Sequence, residues 1–123
     1  MSFKFYFLVG LGGGIGSILR ALVGYLFRGF LPLPTLLVNL TGALLIGICI
    51  KHMHESSSDE LFRAFWIIGI CGGYTTFSTF GLDALTFLKS SQWLNGIMYV
   101  IANILGTILA IVFGFKLYSL IKS

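Results

Sequence analysis

The chain has 123 residues, 57% of them hydrophobic and only 10% charged, and its mean hydropathy is +0.98. Soluble domains carry about 25% charge, so this composition defines a membrane protein; at about 20 residues per helical crossing there is room for four spans and for no nucleotide-binding or nucleic-acid-binding module. The net charge of +4 comes from Lys and Arg flanking apolar segments, where it suits headgroup anchoring and topology rather than nucleic acid.

The first predicted helix runs from about Phe3 to Phe27. Met1 to Gly10 lacks a small-residue cleavage site and continues into a full span, so it reads as a helix and not as a removable signal. The glycines Gly10, Gly12, Gly13, Gly14, Gly16 and Gly24 do not make a dinucleotide fingerprint, which needs a preceding strand and a following acid. Gly10/Gly14 and Gly12/Gly16 are instead small-xxx-small pairs, which let helices approach closely in lipid. Arg20 either snorkels to the interface or points inward with a structural or electrostatic role.

Pro32 and Pro34 mark a loop over Arg28 to Thr35, and Pro34 suits the first turn of a second helix, about Thr35 to Ile50. Asn39 stands among Leu36, Leu37, Val38 and Leu40. It either bonds to a neighbouring helix or offers an amide donor to a permeating anion. Gly42 and Gly47 again indicate tight packing. Cys49 and Cys71 fall in apolar segments and are expected as buried free thiols. The polar stretch Lys51 to Glu60 contains His52 and His54, but at i,i+2 with no further ligand cluster nearby they predict no metal site. Ser57 followed by Glu60 reads as a capping box opening helix three.

Helix three, about Leu61 to Leu88, is longer than one straight span requires. Its middle, Gly69 to Phe80, reads GICGGYTTFSTF. Gly72-Gly73 and a Thr/Ser cluster at that depth predict a discontinuous helix, because backbone groups facing hydrocarbon are costly and need a cavity, an ion or protein around them. A break turns amide N–H groups one way and carbonyls the other; the first can meet an anion, the second a cation. Phe77 and Phe80 share a face. They pack ordinarily or turn their partially positive ring edges toward an anion path. Asp83, the one acid inside an apolar segment, is either a proton relay or a carboxylate in interface water. After a turn at Lys89 to Gln92, with Ser91 as a cap, helix four runs from about Trp93 to Leu120. Tyr99, Asn103 and Thr107 form a polar stripe at i, i+4 and i+8, which fits a hydrated groove or a polar helix–helix seam.

Three stretches, GGGIGSILR in helix one, PTLLVNLTGALLIG in helix two and GICGGYTTFSTF in helix three, resemble the small fluoride-channel family called Fluc, or CrcB. The resemblance covers about three of the four spans; helix four is similar only through Tyr99 and its stripe. It implies an all-α membrane protein of the inner (plasma) membrane. One four-helix transmembrane domain would span residues 1–123, with the third helix broken at mid-membrane, and subunits would pair as an antiparallel, dual-topology-type dimer. Its function would be that of a fluoride-selective passive channel, not an enzyme, exporting fluoride from the cytoplasm through two pores per dimer.

By motif position, Phe77 and Phe80 would line the ion path, Asn39 would approach fluoride, Ser78 and Thr79 would add hydroxyls and Tyr99 a phenol. Gly72 and Thr75 would give backbone carbonyls to a central structural sodium ion, and Arg20 matches the family's helix-one arginine. The chemistry is coherent. Fluoride is small and tightly hydrated, and a pore must replace its water by weak, repeated donors. Asn103 stands where the family pattern has a small hydroxyl residue. Lys4, Lys51, Arg63, Lys116 and Lys122 lie on the side of the termini, against Arg28 and Lys89 on the other. This leans toward cytoplasmic termini and leaves open a homodimer or a pair of homologous subunits. Two other readings are weighed: a small multidrug-type proton antiporter, which would need Asp83 as its titrating group, and an accessory membrane subunit without transport of its own.

Overall fold

The structure, a computed structural model, describes residues 1–30, 32–57 and 60–123. Helix α1 is Phe3–Leu26, and Ser2 opens it by accepting the Phe5 N–H on its hydroxyl at 3.2 Å. A 3-10 turn, Arg28–Phe30, follows. Arg28 donates to the Tyr25 carbonyl at 2.8 Å and lies 4.2 Å above the Tyr25 ring, so a cation closes the negative end of the helix dipole.

Helix α2 is Leu33–Ser56, with Pro34 in its first turn as expected. It begins two residues before Thr35 and ends well beyond Ile50. Hydropathy falls at Lys51 but backbone bonding does not, and Lys51 and Glu55 pair at 3.7 Å across one helical turn. His52 and His54 are therefore helical residues. The His52 ring meets the Tyr118 hydroxyl at 3.0 Å and the Ser56 hydroxyl at 3.2 Å. Ser57 takes a left-handed conformation (φ 55°) and closes α2, so it does not cap the next helix; residues 58 and 59 of that capping box lie outside the described residues.

The third apolar segment is divided. Helix α3, residues 60–74, begins and ends with α-helical turns, Glu60–Phe62 and Gly72–Tyr74, around a wide π-wound stretch, Arg63–Cys71. Residues 75–77 are not helical. Helix α4 is Ser78–Lys89, and α5 is Trp93–Lys122. Gln92, not Ser91, is the N-cap of α5, since Ser91 turns left-handed at φ 60°. Helices α1, α2 and α5 are each long and apolar enough to cross a membrane, and the described residues contain no strand.

Glycines pack these helices into two pairs. A Cβ on Gly12 would strike the Phe65 carbonyl, and one on Gly16 the Ile70 carbonyl; Gly69 meets Gly12, and Gly73 meets Gly13. Contacts advance together along both segments, so α1 and α3 run parallel with their backbones touching. Gly10 and Gly14, the other expected pair, have nothing within 4 Å. Helices α2 and α5 are likewise parallel. Gly47 and Gly114 abut there, while Asn39 faces Asn103 and His52 faces Tyr118. Gly42 admits the side chains of Thr75 and Tyr74, which joins α2 to the end of α3. Cys49 and Cys71 are buried free thiols. Around this small core lies an apolar exterior that includes Ile18, Leu22, Ile104 and Leu109, the surface expected to meet lipid.

Candidate functional site between α3 and α4

A helix that stops leaves its last carbonyls without N–H partners, and one that starts leaves its first N–H groups without acceptors. Both ends meet at residues 75–77, and side chains from two other helices, α1 and α2, answer them. At the end of α3, Thr75 closes the turn by donating both its N–H and its hydroxyl to the Cys71 carbonyl, at 3.0 and 2.9 Å. The Gly73 carbonyl accepts from Arg20 Nε at 3.1 Å and from the Ser17 hydroxyl at 3.5 Å. Arg20 thus points inward, its cation against the negative end of α3. Thr75 is extended (ψ 159°).

Thr76 is held on both sides of its peptide by one residue. Its N–H donates to Asn39 Oδ1 at 2.8 Å, and its carbonyl accepts from Asn39 Nδ2 at 3.1 Å. The Thr76 hydroxyl then accepts the Thr79 N–H at 3.2 Å and so caps α4. The second Nδ2 hydrogen of Asn39 goes to Asn103 Oδ1 at 2.9 Å, and Asn103 Nδ2 donates to the Tyr99 carbonyl at 3.0 Å. The Tyr99 hydroxyl donates to Asp83 Oδ2 at 2.7 Å. Asn103, Tyr99 and Phe80 are buried.

The aromatic residues step outward from this network. Tyr99 lies 5.6 Å from Phe80, and Phe80 lies 5.5 Å from Phe77 with the rings tilted by 55°. Phe80 is 7% exposed, whereas Phe77 is 82% exposed. Two hollows flank the connection. One, of about 320 Å³, is lined by Ser17, Arg20, Thr35, Thr76, Thr79 and Asp83 together with apolar residues such as Pro34 and Val38. The other, of about 340 Å³, is lined by Asn39, Thr75, Phe77, Phe80, Asn103 and Thr107 among others.

Of the residues singled out from sequence, Asn39, Phe77 and Phe80 border the second hollow, and Arg20 and Thr79 the first. Tyr99 bridges Asp83 and Phe80. The Ser78 hydroxyl is exposed, 3.4 Å from that of Thr76. Gly72 is exposed and Thr75 half-buried, and no hydrogen bond among the described residues reaches either carbonyl. Such oxygens suit a hard cation, but two are too few to surround one. Thr76 was not singled out, and only its place inside the Thr/Ser cluster signalled it. Asn103 was visible as part of the polar stripe, which proves to be a seam at Asn39 and the wall of a hollow at Thr107.

Fold and site together define a small helical membrane protein in which a short non-helical connection, braced by amides, separates two partly polar hollows. Residues 7–115 match the family described as CrcB-like protein, Camphor Resistance (CrcB), and the chain belongs to that family. It is 44% identical over 115 residues to the fluoride-specific ion channel FluC of Rhizobium meliloti, covering 89% of this chain and 92% of that one. It is 37% identical over 119 residues to the protein of the same name from Azobacteroides pseudotrichonymphae, covering 93% and 95%. Against that of Helicobacter pylori it is 42% identical over 106 residues, covering 80% and 81%.

Proposed function

We propose that this chain forms a passive, fluoride-selective channel that lets the ion leave the cytoplasm across the inner membrane. The observation that carries this is the connection between α3 and α4: Phe77 and Phe80 stand beside a hollow with Asn39, Thr75 and Thr107, in a family whose curated relatives are named fluoride-specific ion channels. Helices α3 and α4 are read as two halves of one span, interrupted at mid-membrane in a single four-helix domain. Ring edges and hydroxyls give fluoride weak, serial partners in place of water, which permits both entry and release. Phe77 and Phe80, Ser78, Thr79, Tyr99 and Asn39 are the pore residues of this reading. Fluoride enters cells as the weak acid HF and is trapped as the anion at neutral pH, which supplies an outward gradient.

The chain is read as half of an antiparallel dimer with two pores. The support is the exposure of Phe77, Ser78 and Gly72 beside the braced interior. Two copies related by a twofold axis in the membrane plane would bring two sets of Gly72 and Thr75 carbonyls together. These would hold a structural sodium ion, which when bound would neutralise carbonyl dipoles otherwise unsatisfied in the bilayer. The cationic side chains at the end with the termini favour cytoplasmic termini, with a second identical or homologous subunit inverted against it.

The test is efflux from liposomes containing this chain alone. Fluoride should leave far faster than chloride; chloride efflux at a similar rate, or no fluoride efflux, would sink the reading.

A further inference from the structure

We propose that Asn103 is a positioning residue that sets which end of the Asn39 amide faces Thr76, and so fixes the connection between α3 and α4. An Asn side chain is nearly symmetric in shape but not in bonding, since one end only accepts and the other only donates. Thr76 presents an N–H and a carbonyl to Asn39, so the amide must sit one way round to satisfy both. Asn103 enforces that way round. Its Oδ1 accepts only from the Nδ2 end of Asn39, at 2.9 Å, and its own Nδ2 donates to the Tyr99 carbonyl at 3.0 Å. Turning Asn103 over would set its oxygen against the Tyr99 carbonyl. Turning Asn39 over would set two amide oxygens face to face and oppose like groups at Thr76.

The direction of the whole chain of bonds is therefore anchored in the backbone of α5 and read out at residue 76. A serine or threonine at 103 would fix nothing of this kind, because a hydroxyl both donates and accepts. Asn103 is also 4% exposed, so little water is present to replace a lost partner. Both Nδ2 hydrogens of Asn39 are engaged within the protein. Asn39 thus acts on a passing ion through where it holds Thr76, and with it the start of α4. That consequence for transport rests on the channel reading; the bonding does not.

The experiment compares wild type with Asn103→Leu, similar in size and apolar, by hydrogen exchange at the Thr76 amide and by fluoride efflux from liposomes. The expected result is Thr76 exchange faster by about ten-fold or more, unchanged exchange at Gly16 in the α1–α3 seam, and efflux lowered by a similar factor. Asn103→Asp in mildly acidic buffer, where the un-ionised carboxyl can accept from Asn39 and donate to Tyr99, should restore Thr76 protection. Should the leucine variant fail to give a monodisperse protein, Asn103→Ala takes its place with the same expectations. Wild-type exchange at Thr76 in the variant, equal loosening of Gly16, or faster Thr76 exchange without any loss of efflux overturns the proposal. If wild type itself moves no fluoride, the channel reading fails, and Thr76 exchange still decides the role of Asn103.

Discussion

The two helix pairs are joined by opposite means. Between α1 and α3 the contact is backbone on backbone at Gly12, Gly16, Gly69 and Gly73, and side chains enter only at its end, where Ser17 and Arg20 reach the Gly73 carbonyl. Between α2 and α5 the helices also touch at Gly47 and Gly114, but the same seam carries an amide pair, Asn39 and Asn103, that reaches out to Thr76. In lipid no hydrophobic force drives helices together, so close packing and polar contacts must do it. The glycine stretch of the first seam holds the helices together; the polar seam both holds them and grips the connection itself at Thr76. Substitutions in the first should therefore cost the fold, and substitutions in the second should cost transport while sparing the fold.

The largest effect is expected from Gly16→Val. Its Cβ would strike the Ile70 carbonyl and crowd the Tyr74 N–H, and neither can move without unseating α3. Overpacking of this kind costs about 1–3 kcal/mol or more. Yield of monodisperse protein in detergent should collapse. Gly14→Val, with open space at its Cβ, should behave as wild type. Equal behaviour of the two variants would remove the distinction between the glycine pairs.

Next comes Asn39→Asp. A carboxylate keeps the acceptor for the Thr76 N–H but opposes the Thr76 carbonyl and Asn103 Oδ1, where Nδ2 now donates. Two half-buried contacts turn from attractive to repulsive, at about 1–3 kcal/mol each at most. Fluoride efflux should fall by about ten-fold or more with the elution volume unchanged. Phe80→Ile should act in the same direction but less, by removing a ring edge while keeping an apolar group in the 7% exposed site. Wild-type efflux in both variants would take these residues out of the pore.

The glycine seam was half legible in the sequence. Glycine spacing showed that α1 packs closely, but Gly10/Gly14 and Gly12/Gly16 are equivalent by periodicity. Only the partner helix, about 55 residues on, chooses between them. The polar seam was less legible. Asn39 was open to two uses because its partners, Thr76 and Asn103, lie 37 and 64 residues away. Arg20 was open in the same way until Gly73, 53 residues on, supplied a carbonyl. Helix α2 outran its apolar segment because hydropathy marks where a helix leaves lipid, not where its backbone bonds end. The π-wound stretch of α3 had no sequence signal. Of the Gly-Gly pair and the Thr/Ser cluster at 69–80, Gly72 and Gly73 stay helical, and the non-helical residues 75–77 lie within the cluster.

The smallest effect should come from Asp83→Asn, and it separates the polar seam's two possible uses of charge. Asp83 accepts the Tyr99 hydroxyl at 2.7 Å and lines the hollow that also holds Arg20. An asparagine can still accept from Tyr99 through its Oδ1, so the contact to Tyr99, and through it to Phe80, survives the change. Only the negative charge is lost, and an anion path gains nothing from a carboxylate at its edge. Fluoride efflux should therefore stay within about three-fold of wild type, the scale of a weakened neutral hydrogen bond. It should also be independent of an imposed proton gradient. A proton-coupled antiporter would respond in the opposite way, because Asp83 would be its titrating group, and transport that follows the proton gradient and dies in Asp83→Asn would replace the channel reading.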